Sequence, residues 1–217
     1  MPVMPAFANQ KIEFTDILYI PYYVGEQVKL LRQRYFGNVV FIHINKTGGR
    51  SIEKSLNLPF EHKTALEKID EMGKQRWERV YKFTSVRNPW DKVISHFHYR
   101  VETNQTNLRT KPIKFKEWVK LTYGNKDPFY YDIPKMFMPQ LDWITDHEGK
   151  ILVDFICRFE NLNNDFSVLC EKLGRNATLP HINCSKHGNY REYYDDDTIE
   201  IIAKSFSRDI EKFGYKF

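Results

Sequence analysis

The hydrophobic positions of the chain fall into short runs joined by polar, glycine-containing segments. Val39-Val40-Phe41-Ile42-His43-Ile44 is a nearly continuous apolar run between Gly37 and the Gly48-Gly49 pair. A run without alternation reads as a strand of a parallel sheet, buried on both faces. A helix begins at Ser51 and continues to Leu56, so strand, glycine loop and helix open a β-α unit. Val80 to Val86 predicts a second strand, ending in Arg87-Asn88-Pro89. Asn88 suits an N-cap and Pro89 the first helical position, for a helix through about Tyr99. Ile151 to Ile156 predicts a third strand, and the helix after it runs through about Leu173 and stops at Gly174. Asp195 to Asp197 place acids at a C-terminal helix start, after which Ile199, Ile202, Phe206, Ile210 and Phe213 recur at helical spacing. Alternating strands and helices make the fold class α/β, with a mainly parallel central sheet flanked by helices. Residues 1 to about 37 show weak periodicity and read as an irregular N-terminal arm with a short helix. The whole chain, 1–217, then reads as one domain.

Composition narrows this picture only in part. Hydrophobic residues make up 41% and aromatic ones 15%, which is enough for a sizeable core and excludes wholesale disorder. No apolar run approaches ~18 residues, so no membrane span is expected. Met1 to Gln10 lacks the basic-then-apolar order of a signal peptide. Cys157, Cys170 and Cys184 are odd in number and show no C-x-x-C spacing, which disfavours a disulfide framework or zinc ribbon and suits a reducing compartment. The net charge is +5, from 33 basic and 28 acidic residues. That excess fits a nucleic acid, a sulfated or phosphorylated ligand, or no special partner. The cations are dispersed among acids, which argues against a nucleic-acid surface.

Local motifs carry more. Lys46-Thr47-Gly48-Gly49-Arg50-Ser51 joins the first strand to its helix, where open α/β sheets bind ligands. Two glycines allow close backbone approach, the helix N-terminus adds its positive dipole end, Lys46 a full charge, and Thr47 and Ser51 hydroxyl donors. A phosphate or sulfate is the natural guest. The loop is not a Walker A loop, whose glycines precede the lysine. Arg87 ends the second strand, and Ser95 lies eight residues on, two turns into the next helix. An arginine clamps a phosphate bidentately and a serine hydroxyl adds a donor.

Together these residues resemble the sulfotransferases that use 3′-phosphoadenosine 5′-phosphosulfate (PAPS). Lys46 to Ser51 is similar to the family's 5′-phosphosulfate loop, and Ser85-Val86-Arg87-Asn88-Pro89-Trp90-Asp91-Lys92-Val93-Ile94-Ser95 to its 3′-phosphate motif. The resemblance is strongest to the carbohydrate branch, which includes uronosyl 2-O-sulfotransferases and small bacterial relatives. Arg158-Phe159-Glu160-Asn161-Leu162, Leu179 to Asn183 and Asp209 to Tyr215 extend it, so that it runs from about Val39 to the end. Asn45 stands where proline is usual and Arg50 where threonine is usual. Arg50 either touches the sulfate or an anionic acceptor, or points to solvent.

The resemblance implies in-line sulfuryl transfer from PAPS to a hydroxyl of a carbohydrate acceptor, an anionic glycan among the candidates, leaving PAP. It implies no metal, and the sequence offers no H-E-x-x-H or compact Cys/His ligand set. Lys46 and the loop amides would stabilise charge on the leaving phosphate, and Arg87 and Ser95 would hold the 3′-phosphate. His62, between the two phosphate motifs, is the first choice of base, and Glu61 the second. His43 reads as a satisfied core imidazole. Lys186 lies in a loop that covers the nucleotide or is simply solvated. Arg158 and Glu160 read as a structural pair. The animal carbohydrate enzymes are commonly anchored in the Golgi, and the expected setting here is the cytoplasm, or the Golgi lumen if the chain is a piece of a longer protein. Two other readings compete: a kinase-like phosphotransferase, which would need a Walker loop, and a non-enzymatic binder of anionic polymers.

Overall fold

The computed structural model describes residues 14–180 and 188–217, with side chains from Tyr23 onward. Lys186 lies outside the described residues. The elements in order are α1 (Phe14–Tyr35), β1 (Val39–Ile42), α2 (Gly49–Leu56), α3 (Ala65–Met72), α4 (Lys74–Arg79), β2 (Tyr81–Val86), α5 (Pro89–Glu102), α6 (Phe115–Val119), α7 (Leu141–Ile144), β3 (Phe155–Arg158), α8 (Leu162–Leu173), α9 (Asp196–Ser205) and α10 (Ser207–Phe213). Short 3-10 turns lie between some of these, and one π-helical turn, Lys120–Gly124, continues α6.

The three strands are parallel in the order β1-β2-β3, with Val39 opposite Tyr81 and Val86 opposite Arg158. Their C-terminal ends therefore deliver Ile42, Val86 and Arg158 to one edge. The strand period of two sorts β1 between two cores. Val39 and Phe41 pack with Ile52 of α2 and with Phe166 and Leu169 of α8. Val40, Ile42 and Ile44 pack on the other face with Trp77, Trp143 and Phe213. A third core lies beside the sheet, where Trp90, Ile94 and Phe97 of α5 meet Trp118, Phe137, Ile202 and Phe206. Burying each large side chain of this kind stabilises by roughly 1.5–3 kcal/mol. Among the described residues, no helix is long and apolar enough to cross a membrane.

Three elements differ from the sequence reading. The N-terminal arm holds a 22-residue helix that runs through Pro21. Its end is held by Arg76, which donates to the carbonyls of Arg34 (2.6 Å), Gln33 (3.2 Å) and Gly37 (2.5 Å). Long-range capping of exposed carbonyls leaves no local pattern in the sequence. The third strand starts four residues late, because Ile151 makes an isolated bridge to Thr145 and strand pairing begins only after Asp154 takes the Lys82 N–H at 2.8 Å. Finally, the C-terminal helix breaks at Phe206, which caps one helix and opens the next. Past the break, the buried carboxylate of Asp209 accepts from the amides of Gln140 (2.7 Å) and Leu141 (2.9 Å).

Candidate functional site

The site grows from the turn between β1 and α2. Thr47 is fully buried, and its Oγ1 donates to the Ile44 carbonyl at 2.8 Å and lies 2.8 Å from Ser85 Oγ on β2. The hydroxyl expected to meet a ligand is thus committed to bracing the loop against the neighbouring strand. Lys46 adopts a left-handed backbone (φ 65°), as does Gly48 (φ 85°). A Cβ on Gly48 would sit 2.7 Å from Leu162, and one on Gly49 only 2.1 Å from the His43 ring. The first glycine serves the turn and a close approach, and the second lets the helix start lie flat on an imidazole. The first turn of α2 lies at the helix's positive end.

Lys46 Nζ lies 4.5 Å from the centre of the Tyr99 ring on α5. Among the described residues no carboxylate forms an ion pair with it. Its pKa is lowered to about 8, first by burial and then by the charge of Arg87. Arg87 is 4% exposed and its Nη1 donates to the Lys46 carbonyl at 3.1 Å. Its Nε pairs with Asp91 at 2.7 Å, and its guanidinium lies 3.9 Å from the centre of the Phe159 ring. The backbone of Arg87 is clamped on both sides by one residue: Gln140 Oε1 accepts its N–H at 2.9 Å and Gln140 Nε2 donates to its carbonyl at 2.8 Å. Asn88 caps α5 by accepting from the amides of Trp90 and Asp91, with Pro89 in the first turn. Ser95 is buried on α5, one turn beyond Asp91 and one before Tyr99, on the stripe that faces the loop.

The segment after β3 builds the floor. Arg158 and Glu160 do not pair with each other as expected. Arg158 Nη2 donates to the Phe213 carbonyl at 2.7 Å, while Glu160 accepts the Asn88 N–H at 2.5 Å and the Tyr215 hydroxyl at 3.4 Å. Both charges satisfy backbone groups on other elements, a use that adjacency in sequence does not show.

His62 sits beside the loop, its ring centre 4.4 Å from that of His43 and 6.1 Å from Trp143. Its Nδ1 lies 2.9 Å from the His43 carbonyl. A carbonyl only accepts, so Nδ1 carries the proton and Nε2 the lone pair. Burial, then His43, lowers the His62 pKa to about 3, so the ring is neutral near pH 7. Glu61 is placed differently. It accepts from the buried Lys68 at 2.6 Å and lies 3.4 Å from Lys63. Its carboxylate is thus engaged in two ion pairs. Arg50 is half-exposed, stacks 4.5 Å from the centre of the Phe60 ring and lies 3.6 Å from Glu53. Ser51 is buried, and its amide donates to the Gly48 carbonyl at 3.1 Å.

Sequence reasoning missed three contributors. Glu53 of α2 is buried with His43 Nδ1 2.6 Å away. Burial pushes the Glu53 carboxyl up and the His43 imidazole down, so the neutral acid donates to the neutral ring. The helical spacing of Glu53 gave no sign of this partner. Gln140 clamps Arg87 from 53 residues away. Lys92 is fully buried on α5, although a lysine on a helix reads as solvated.

The arrangement presents, at one sheet edge, an unneutralised lysine, helix-start amides, a clamped arginine and a neutral imidazole with a free lone pair. It suits binding a polyanion and moving an anionic group onto a hydroxyl. Comparison with known proteins agrees. A curated protein of Archaeoglobus fulgidus, described only as uncharacterized, is 31% identical over 123 residues, which cover 56% of this chain and 91% of that one. No solved structure matches the chain. The model of the sulfotransferase family matches residues 33–216, from the end of α1 through α10. With Lys46, Arg87 and the sheet edge that joins them all inside that span, the chain belongs to the sulfotransferase family, whose chemistry is sulfuryl transfer.

Proposed function

We propose that the protein moves the sulfuryl group of PAPS to a hydroxyl of a carbohydrate acceptor. The observation that carries this reading is the convergence of Lys46 and Arg87. One lacks a carboxylate partner, the other is fixed by Gln140 and Asp91, and their repulsion contributes to lowering the Lys46 pKa. A donor with phosphates at both ends relieves that repulsion. Lys46 and the amides of Thr47, Gly48 and Gly49 would hold the 5′-phosphosulfate, and Arg87 with Ser95 the 3′-phosphate. Lys186, outside the described residues, remains part of the proposal as a further 3′-phosphate contact. Arg50 is assigned to the acceptor side, since it is the exposed cation of the loop.

In the reaction the acceptor oxygen attacks sulfur in line with the bridging oxygen. A new S–O bond forms as the bond to the phosphate oxygen breaks, and that electron pair stays on the phosphate of PAP. Lys46 stabilises the charge that develops there. His62 Nε2 takes the acceptor proton, its orientation set by the bond from Nδ1 to the His43 carbonyl. Burial costs this imidazole basicity, so it acts late, when the hydroxyl has become acidic through attack. The buried free thiols of Cys157 and Cys170 suit a cytoplasmic setting.

The test is transfer from sulfur-labelled PAPS to polysaccharides, with free sugars and tyrosyl peptides as controls. Label in a polysaccharide, lost in Lys46→Ala, is the expected result. Label only in tyrosyl peptides would overturn the carbohydrate assignment. No transfer at all, with stabilisation by ATP–Mg²⁺ in place of PAP, would overturn the donor.

A further inference from the structure

Helix α5 carries a second stripe, one position over from the stripe that faces the loop. Lys92, His96 and Arg100 recur every fourth residue, and they are 0%, 4% and 0% exposed. Trp118 of α6 stands opposite, and the π-helical turn that continues α6 turns Thr122 and Tyr123 inward. The ring of Phe137 ties the group together. Its centre lies 5.0 Å from the His96 ring, 5.3 Å from the Arg100 guanidinium, 6.4 Å from Trp118 and 5.8 Å from Tyr123.

Each of these six residues holds a buried polar atom without a hydrogen-bond partner among the described residues: Lys92 Nζ, His96 Nδ1, Arg100 Nε, Trp118 Nε1, Thr122 Oγ1 and Tyr123 Oη. Folded interiors rarely leave one such atom unmet, and a cluster calls for a guest. The chemistry of the set says which guest. Lysine, arginine and tryptophan nitrogens only donate, the two hydroxyls donate and accept, and the imidazole Nδ1 accepts when Nε2 carries the proton. Water brings two protons of its own and only half of the set can accept them, whereas an oxyanion takes protons from every donor. The nearby carboxylates are engaged elsewhere. Asp132 pairs with Arg100 Nη2 at 2.9 Å, away from Nε, and Asp209 is already occupied by Gln140 and Leu141.

We propose that these six groups form an oxyanion subsite that receives the acidic group of the acceptor, a carboxylate or sulfate borne by the sugar. The same chemistry would accept a free inorganic oxyanion. The assignment to the acceptor rests on the sulfuryl-transfer reading; the anion site itself does not. This stripe lies one helix position from the stripe that faces the loop. Tyr99, one residue from the stripe, lies beside Lys46, and the charge of Lys46 is close enough to act on His96. An acceptor anchored there by its acid would present a neighbouring hydroxyl to His62.

The experiment is thermal melting in chelator, with PAP saturating and inorganic phosphate titrated on top. PAP alone raises the melting temperature if the donor reading holds. Phosphate then raises it again in the wild type. Tyr123→Phe, which deletes one hydroxyl without changing shape, weakens the phosphate response about tenfold, and Lys92→Met abolishes it, while both keep the PAP response. A wild type that ignores phosphate, or variants that respond like the wild type, would overturn the subsite. Loss of the PAP response with the phosphate response intact would overturn the donor reading alone. Transfer assays then locate the source of the anion. A raised KM for glucuronate but not glucose in Tyr123→Phe assigns the site to the acceptor. An unchanged KM for both, with phosphate binding intact in the wild type, would overturn that assignment and leave a free-anion site.

Discussion

The two stripes of α5 are one residue apart and have opposite character. Asp91, Ser95 and Tyr99 face the β1–α2 loop, where the polar groups are engaged: Asp91 by Arg87, and Tyr99 by Lys46 through its ring. Around that loop the buried atoms without hydrogen-bond partners include the acceptors Asn45 Oδ1, Glu53 Oε2 and Glu61 Oε2, and the two carboxylate oxygens lie within 4 Å of a cation. Lys92, His96 and Arg100 face inward, where the atoms without partners among the described residues are mostly donors. The first stripe has its polar groups paired. The second holds buried polar atoms that our proposal pairs with an anion. On our proposals, a single helix serves the donor with one face and the acceptor with the next.

The comparison can be broken first at Lys46. Lys46→Ala should lower kcat by roughly 10²–10³-fold or more, as loss of a preorganised charge at the leaving group does. Turnover within a few-fold of wild type would remove the loop stripe from the chemistry. His62→Ala comes next, with an expected loss of about 10²–10⁴ in kcat and an unchanged Kd for PAP by calorimetry. A collapse of PAP affinity would make His62 structural.

Arg87→Lys should weaken PAP binding by about 10-fold or more, because an ammonium cannot keep a bidentate phosphate contact while also holding Asp91 and the Lys46 carbonyl. A pH series sharpens the same point. Lys46 has its pKa lowered to about 8, so it is charged below that pH and loses its proton above it. PAP affinity should be flat below pH 8 and then fall by up to about tenfold per pH unit. Affinity that holds to pH 10 would mean that Lys46 does not meet the phosphate. The smallest effect is expected at the cap. Asn88→Ala should cost about 1 kcal/mol of stability in denaturant unfolding and leave the stripe's chemistry in place.

Much of this was legible in the chain because it is written locally. Buried parallel strands show as apolar runs, Asn88-Pro89 and Asp195 as caps, and Gly174 as a helix stop. The Lys46 to Ser51 loop announces an anion site because glycine, lysine and helix start lie within six residues. What escaped depends on partners distant in sequence. Arg76 caps α1 across about 40 residues, Gln140 clamps Arg87, and Asp209 holds the start of α7. The inward stripe escaped for another reason. Lys, His and Arg at every fourth position look like an ordinary solvated face, and only packing by α6 and Phe137 reveals that they are inside. Thr47 misled for the same reason, since a hydroxyl in a ligand loop carries no mark showing that it points at the neighbouring strand.

The central claim is that Lys46 and Arg87 form a two-ended phosphate site. Calorimetric titration in EDTA with PAP, against adenosine 5′-monophosphate as the analogue lacking the 3′-phosphate, tests it directly. The account predicts tight PAP binding without metal, with the advantage over the analogue lost in Arg87→Lys. Equal affinity for both nucleotides, or binding of ATP–Mg²⁺ in preference to PAP, would contradict it.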